Sequence, residues 1–165
     1  MFNKWLLLLL LFPGTAFALS SDRDQPIQIE SDTADLDEGR DLSIYRGNVR
    51  VTQGSLKLFA DKLTVYGLQD PKRMVATGKK ARFRQRPDGK DKDIEGEALS
   101  MEYLLNKDLL YLIDKAVLKQ EDNTFRSQRI QYNIERSKVQ AGGSNRKDQK
   151  KERVKVTIQP KKRSQ

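Results

Sequence analysis

Four carboxylates fall close together in Asp91, Asp93, Glu95 and Glu97. Paired carboxylates can run acid–base chemistry or ligate calcium. Neither use fits here. In an extended chain, alternation puts all four on one solvent face. Lys90 and Lys92 stand beside them to offset their charge, and the spacing of a calcium loop is absent. The 165 residues contain no His and no Cys, which excludes imidazole bases, thiol nucleophiles, disulfides and Cys/His zinc sites. No serine has a visible base, and no glycine-rich phosphate loop follows a strand pattern. The expectation is therefore a protein with no catalytic residue, no metal ligand and no cofactor.

The charge is unevenly placed. The chain carries +9, from 32 Lys and Arg against 23 Asp and Glu. Residues 146–165 hold nine basic and two acidic residues, or +7, and Lys4 adds one more. That leaves 22 basic and 21 acidic residues in 19–145, a nearly neutral body. Ala141-Gly142-Gly143-Ser144-Asn145 has the composition of a flexible hinge between body and basic tail. The tail has no aromatic residue on which to stack a base, so no nucleic-acid partner is expected. A solvated end, or contact with anionic surfaces outside the cytoplasm, accounts for it better. Val154, Val156 and Ile158 alternate within it, a pattern that a short strand would satisfy.

Residues 1–18 read as a cleaved secretory signal. Lys4 precedes an apolar run through Leu6 to Leu11, and Ala16 and Ala18 supply small residues for the peptidase. The run is well short of the roughly 20 residues that span a bilayer. The predicted organisation is a signal at 1–18, one domain at 19–145 and a tail at 146–165.

The elements of that domain are strands. Apolar residues alternate in sets: Ile27 and Ile29; Leu42 and Ile44; Val49 and Val51; Leu56, Leu58 and Ala60; Leu63 and Val65; Ala81 and Phe83. Leu99, Met101 and Tyr103 follow, then Leu109, Tyr111 and Ile113, then Ile130, Tyr132 and Ile134. Each set places its apolar members on one face. Turn residues separate them at 37–41, 53–55, 69–71, 87–89, 106–108 and 121–124. This spacing predicts an all-β sandwich, barrel or roll. Shifting the sequence by 67 residues lays Ile44 on Tyr111, Val51 on Leu118 and Gln53 on Gln120, which suggests two stacked copies of one strand unit. Such a unit, thin and open at its ends, either packs a dry core or forms a hollow trough for an elongated apolar ligand. A trough would offset about 0.8 kcal/mol for each acyl CH₂ kept from water.

Specific motifs favour the second use. Gln25-Pro26-Ile27-Gln28-Ile29-Glu30-Ser31-Asp32, then Gly47-Asn48-Val49-Arg50-Val51-Thr52-Gln53-Gly54 followed by Ala60-Asp61-Lys62, resemble the OstA-like family of lipopolysaccharide-export bridge proteins. Met101-Glu102-Tyr103, Lys107-Asp108 and Lys119-Gln120 extend the resemblance to about Ala141. Asp114-Lys115 stands where the first half has Gly47-Asn48, a departure that leaves room for a different turn geometry there.

The resemblance implies an open, twisted β-jellyroll of many short antiparallel strands. It implies a periplasmic, non-enzymatic carrier that shields the lipid A acyl chains of lipopolysaccharide. It further implies head-to-tail self-association that links an inner-membrane export complex to an outer-membrane translocon, and so contact with both membranes. The family's lipid contacts carry over to Ile27 and Ile29. Ile44, Val51, Leu58, Phe83 and Met101 join them from alternation alone. The alternatives are an exported all-β interaction module without a lipid cargo, and a tail-driven binder of anionic surfaces.

Overall fold

The computed structural model describes residues 22–142 and 153–160. The signal expected at 1–18, and the tail at 146–152 and 161–165, lie outside the described residues. Among the described residues there is no α-helix. Ten strands form one antiparallel sheet: β1 (Gln28–Glu30), β2 (Thr33–Asp37), β3 (Leu42–Gln53), β4 (Leu56–Tyr66), β5 (Arg73–Gln85), β6 (Ile94–Leu104), β7 (Leu109–Gln120), β8 (Asn123–Asn133), β9 (Lys138–Ala141) and β10 (Lys155–Thr157). The order is β1-β3-β4-β5-β6-β7-β8-β10, with β2 also on β3 and β9 also on β8. The all-β, open-sheet expectation is met. The alternating tail residues supply β10, which pairs with β8.

The sheet does not lie flat, and the cause is a crease. Every neighbouring pair from β3 to β8 shifts register near mid-strand. A bulge bends its strand and raises the local twist, so a row of them folds the whole sheet. Alanine or serine lines the crease on the inner side: Ala60, Ala81, Ala98, Ala116 and Ser127 are all buried. The edge strands break there too. β1 pairs on one side of the crease and β2 on the other, and β10 and β9 divide in the same way. The result is two arms. Arm one contains β1, β10 and residues 49–60, 81–85, 94–98 and 116–127. Arm two contains β2, β9 and residues 42–46, 62–77, 100–113 and 129–133.

The two-fold echo is carried by the backbone. Positive φ recurs 67 residues apart at Asp41 (51°) and Asp108 (50°), and at Gly54 (57°) and Glu121 (55°). At the crease, Gly47 (78°) and Asn48 (48°) correspond to Asp114 (63°) and Lys115 (52°). The different turn that the sequence left room for at Asp114-Lys115 is thus not found. The bulge geometry is kept, and non-glycine residues are held in a left-handed conformation that favours glycine. Gly47 has a further constraint, because a Cβ there would lie 2.2 Å from the carboxylate of Asp32.

Two of the alternating sets face the other way. Ile44 pairs with Thr64 on the outer face of arm two, half-buried, while Ser43 and Tyr45 take the inner positions beside Val65 and Leu63. Likewise Leu110 and Leu112 point inward, and Leu109, Tyr111 and Ile113 outward. The physical reason is shared. Both stretches are apolar or small on both faces, so alternation alone could not fix the phase. On the outer face, Arg129 covers the Tyr111 ring at 4.3 Å and Arg73 covers Tyr66 at 4.0 Å. These cation–π lids let aromatic rings face solvent.

Candidate functional site

The inner faces form continuous rows through the sheet. One row in arm one runs Ile29, Val51, Leu58, Phe83, Gly96, Leu118, Phe125 and Val156, from β1 to β10. A row in arm two runs Tyr45, Leu63, Ala76, Met101, Leu112, Ile130 and Ala141. The structure therefore brings Ile29, Val51, Leu58 and Phe83 onto one line and sets Met101 in the opposing arm. Ile27 packs against the same cluster from the segment before β1. Ile44 is not part of it.

The rows meet because the sheet folds over. β5 and β8 are three positions apart in the strand order, roughly 14 Å in a flat sheet. Yet the rings of Phe83 and Tyr132 stack with centroids 5.8 Å apart. Gly96 makes this possible: a Cβ there would lie 2.2 Å from Cε1 of Phe83 and 2.7 Å from Cδ2 of Leu112.

The interior is packed rather than hollow. Leu63, Met101, Leu112, Leu118, Ile130 and Tyr132 expose 0 % of their surface. The open trough of the sequence reading is absent in this state, because the arms close on each other. Coverage fails only at the two ends of the rows. Ile27, Ile29 and Tyr45 are half-buried at the β1–β2 edge, as are Phe125, Val139 and Ala141 at the β9–β10 edge.

Along the strand tips a polar seam holds the arms together. Three strands of arm one end in glutamine: Gln53, Gln85 and Gln120. Nε2 of Gln53 donates to the carbonyls of Arg23 (3.1 Å) and Gln25 (3.3 Å). Oε1 of Gln85 accepts from the Tyr132 hydroxyl of arm two at 2.7 Å, and its Nε2 donates to Asp22 at 3.0 Å. Nε2 of Gln120 donates to the Ser137 carbonyl at 3.4 Å.

The segment Asp22-Arg23-Asp24-Gln25 crosses the mouth like a strap. Asp22 accepts from the backbone and hydroxyl of Ser55, both at 2.6 Å, on the arm-one side. Arg23 reaches Asp108 at 3.3 Å on the arm-two side. Burial pushes the Asp108 carboxyl above its ordinary range, against the pull of Arg23 and with the help of Glu135. Burial also pushes the Tyr103 and Tyr132 phenols up to about 12, so both stay neutral. Beside the strap, Ile27, Pro71, Tyr103 and Leu105 line a cleft of about 450 Å³, with Arg23 and Lys72 at its lip.

The sequence reading missed these seam residues. The one available signal was the coincidence of Gln53 and Gln120 in the repeat. Its account of the acidic cluster also needs correction. Asp93 is held by Arg84 and Arg86, and Glu97 by Lys80 at 2.9 Å. Lys90 and Lys92 pair instead with Glu121 and Asp122 across the neighbouring turn. Among the described residues, no group of acidic side chains could hold a metal ion.

A folded sheet with an apolar interior, open ends and no reactive constellation can enclose and release an apolar chain. Comparison with known proteins agrees. Residues 28–138 match the family described as LptA/(LptD N-terminal domain) LPS transport protein. The chain is 37 % identical to the lipopolysaccharide export system protein LptH of Pseudomonas aeruginosa over 155 residues, covering 91 % of this chain and 88 % of that one. It is 41 % identical to LptA of Escherichia coli K12 over 129 residues, covering 76 % and 69 %. The crystal structure of Pseudomonas aeruginosa LptH, titled as the periplasmic component of the lipopolysaccharide transport device, superposes with a TM-score of 0.77 at 35 % identity, covering 86 % of this chain and all of that one. With its fold, its repeated crease and these relatives in agreement, this chain belongs to the LptA/LptD N-terminal domain family of lipopolysaccharide transport proteins.

Proposed function

We propose that this protein carries lipopolysaccharide through the periplasm, shielding the lipid A acyl chains between its two arms. It acts as a carrier without catalysis, stacked head to tail between an inner-membrane export complex and an outer-membrane translocon. One observation carries the reading: the apolar row from Ile29 to Val156 crosses every long strand and is uncapped at both sheet edges. A dry structural core would be closed there. Stacked copies would join their rows into one path, with backbone ladder bonds between the β1–β2 edge of one copy and the β9–β10 edge of the next.

Loading then requires the arms to part. The seam is made mainly of neutral hydrogen bonds, each worth about 1 kcal/mol net. Opening four of them costs about 4 kcal/mol, which burial of roughly five methylenes offsets. The closed, packed interior is thus compatible with reversible loading.

Photo-crosslinking tests this. A photoreactive residue at Ile29 should capture lipopolysaccharide during export, and one at Gln28, on the opposite face of β1, should not. Ile29→Asp should weaken binding, since an unpaired carboxylate would face acyl chains. Equal capture from Ile29 and Gln28, or unchanged affinity in a folded Ile29→Asp variant, would end the proposal.

A further inference from the structure

The outer face of arm one differs from the rest of the nearly neutral body. A groove of about 520 Å³ lies across it, with Phe59, Gly96 and Val117 on its floor. Arg82, Arg84, Lys119 and Arg126 line it, together with Glu95 and Glu97. Strand pairing fixes this arrangement. Arg82 lies opposite Glu97, Glu97 opposite Val117, and Val117 opposite Arg126, which in turn faces Lys155 of β10. One step nearer the strand tips, Lys57, Arg84, Glu95 and Lys119 form a second cross-strand row. Arg84 is engaged by Asp93, and Glu97 by Lys80. Arg82, Lys119 and Arg126 are exposed and make no ion pair among the described residues. Cross-strand neighbours with cations lacking a partner leave positive potential unneutralised, and a concave site focuses it.

We propose that this groove binds the phosphorylated inner sugars of lipopolysaccharide, a polar counterpart to the apolar interior; the inference rests on the carrier reading above. Three features fit that ligand. The unpaired cations suit phosphate, with guanidinium groups able to bind it bidentately. Glu95 and Glu97 offer acceptors to sugar hydroxyls, which bare phosphate would not use. The second row also lies within about 10 Å of the strand tips, because Lys57, Arg84 and Lys119 are three residues or fewer from their turns. A glycolipid with its acyl chains between the arms must lead its sugars out past those tips. Folding them back over the arm-one rim lays them in the groove.

The experiment uses the full chain, parent and the triple variant Arg82→Gln/Lys119→Gln/Arg126→Gln. The substituted side chains are exposed and partnerless, so the melting temperature should not change. The probes are a rough lipopolysaccharide with a phosphorylated inner core and the same glycolipid after chemical dephosphorylation. The parent should favour the phosphorylated form by roughly tenfold at low salt, and the variant should lose that preference. Binding of the dephosphorylated form, and crosslinking from Ile29, should be the same in both proteins. A variant that still discriminates like the parent overturns the proposal, as does one equally weakened toward both glycolipids. If the parent binds vesicles of anionic phospholipid through the same three residues, the groove is a membrane contact and the sugar assignment is wrong. Absence of crosslinking from Ile29 in the parent, with either glycolipid, would instead mark failure of the carrier reading, and the groove proposal would fall with it.

Discussion

The Tyr132 hydroxyl donates to Oε1 of Gln85 at 2.7 Å, and the two residues stand on strands that are not neighbours in the sheet. This bond ties arm one to arm two at the level of the seam, directly beside the Phe83–Tyr132 stack. It sits in a buried setting, where a lost partner is felt.

Tyr132→Phe keeps the ring and removes only the hydroxyl. It should lower stability by about 1–2 kcal/mol, seen as a drop of a few degrees in melting temperature. Exchange of the Gln85 and Gln53 amides should quicken as the seam loosens. Lipid uptake should become faster, because one bond fewer opposes opening. A variant with parent-like stability and uptake would show that the seam does not gate the interior.

Gly96 should tolerate nothing larger. Its Cβ space is occupied by the Phe83 ring and a Leu112 methyl, so Gly96→Ala should destabilise by about 1–3 kcal/mol through overpacking. Trimming the obstacle tests the cause: Phe83→Leu in the Gly96→Ala background should recover part of the loss, although Phe83→Leu alone is destabilising. Denaturant melts of the four proteins give the coupling energy directly.

Much of this was legible in the sequence, and the illegible part has a specific cause. Val51, Leu58, Phe83 and Met101 flank polar residues, so alternation fixed their phase. Ile44 and Tyr111, equivalent in the repeat, lie in stretches without such contrast, and their faces came out inverted. The seam residues are hydrophilic at strand ends, where a glutamine ordinarily marks the approach to solvent. Only the folding of the sheet, through a crease of bulges, turns Gln53, Gln85 and Gln120 toward partners in the strap and the second arm. A bulge is a one- or two-residue register change and leaves little compositional trace unless glycine marks it. Gly47-Asn48 was such a mark, and Asp114-Lys115 was not.

That asymmetry gives a stability prediction. Glu121 adopts φ 55°, the conformation of its equivalent Gly54 at 57°. Glu121→Gly should therefore raise stability by about 0.5–1 kcal/mol by relieving left-handed strain. The exposed pairing with Lys90 at 3.3 Å is worth too little to reverse the sign. A melting temperature below that of the parent would contradict it.

Acid should loosen the strap before it unfolds the protein. Burial and Glu135 hold the Asp108 carboxyl above its ordinary range, so the folded protein takes up this proton at a higher pH than the unfolded chain does. Between those two pKa values the native state binds more protons, and the contribution of Asp108 to global stability rises as pH falls. Its pairing with Arg23 weakens over the same window, because the carboxylate becomes neutral. Amide protection at 22–25 should drop on mild acidification without a matching loss from Asp108 in melting temperature. In Asp108→Asn the strap should be loose at all pH values and the transition absent.

The two sheet edges make the last prediction. β2 leaves Leu36 66 % exposed, and the opposite edge leaves Val156 47 % and Ile158 71 % exposed. Unblocked strand edges with apolar side chains invite pairing, and two different edges pair head to tail without closing. Leu36→Lys should block one edge and Val156→Lys the other, each with little effect on the melting temperature, since neither side chain is in the core. The parent should form a ladder of species that grows with concentration. Either variant alone keeps one competent edge per molecule, and like edges do not match, so each should remain monomeric. An equal mixture offers one intact edge of each kind and should give dimers and nothing larger. Light scattering on the three samples reads this out. Dimers in a single variant would mean that the joint is symmetric, and larger species in the mixture would mean that it does not use these edges.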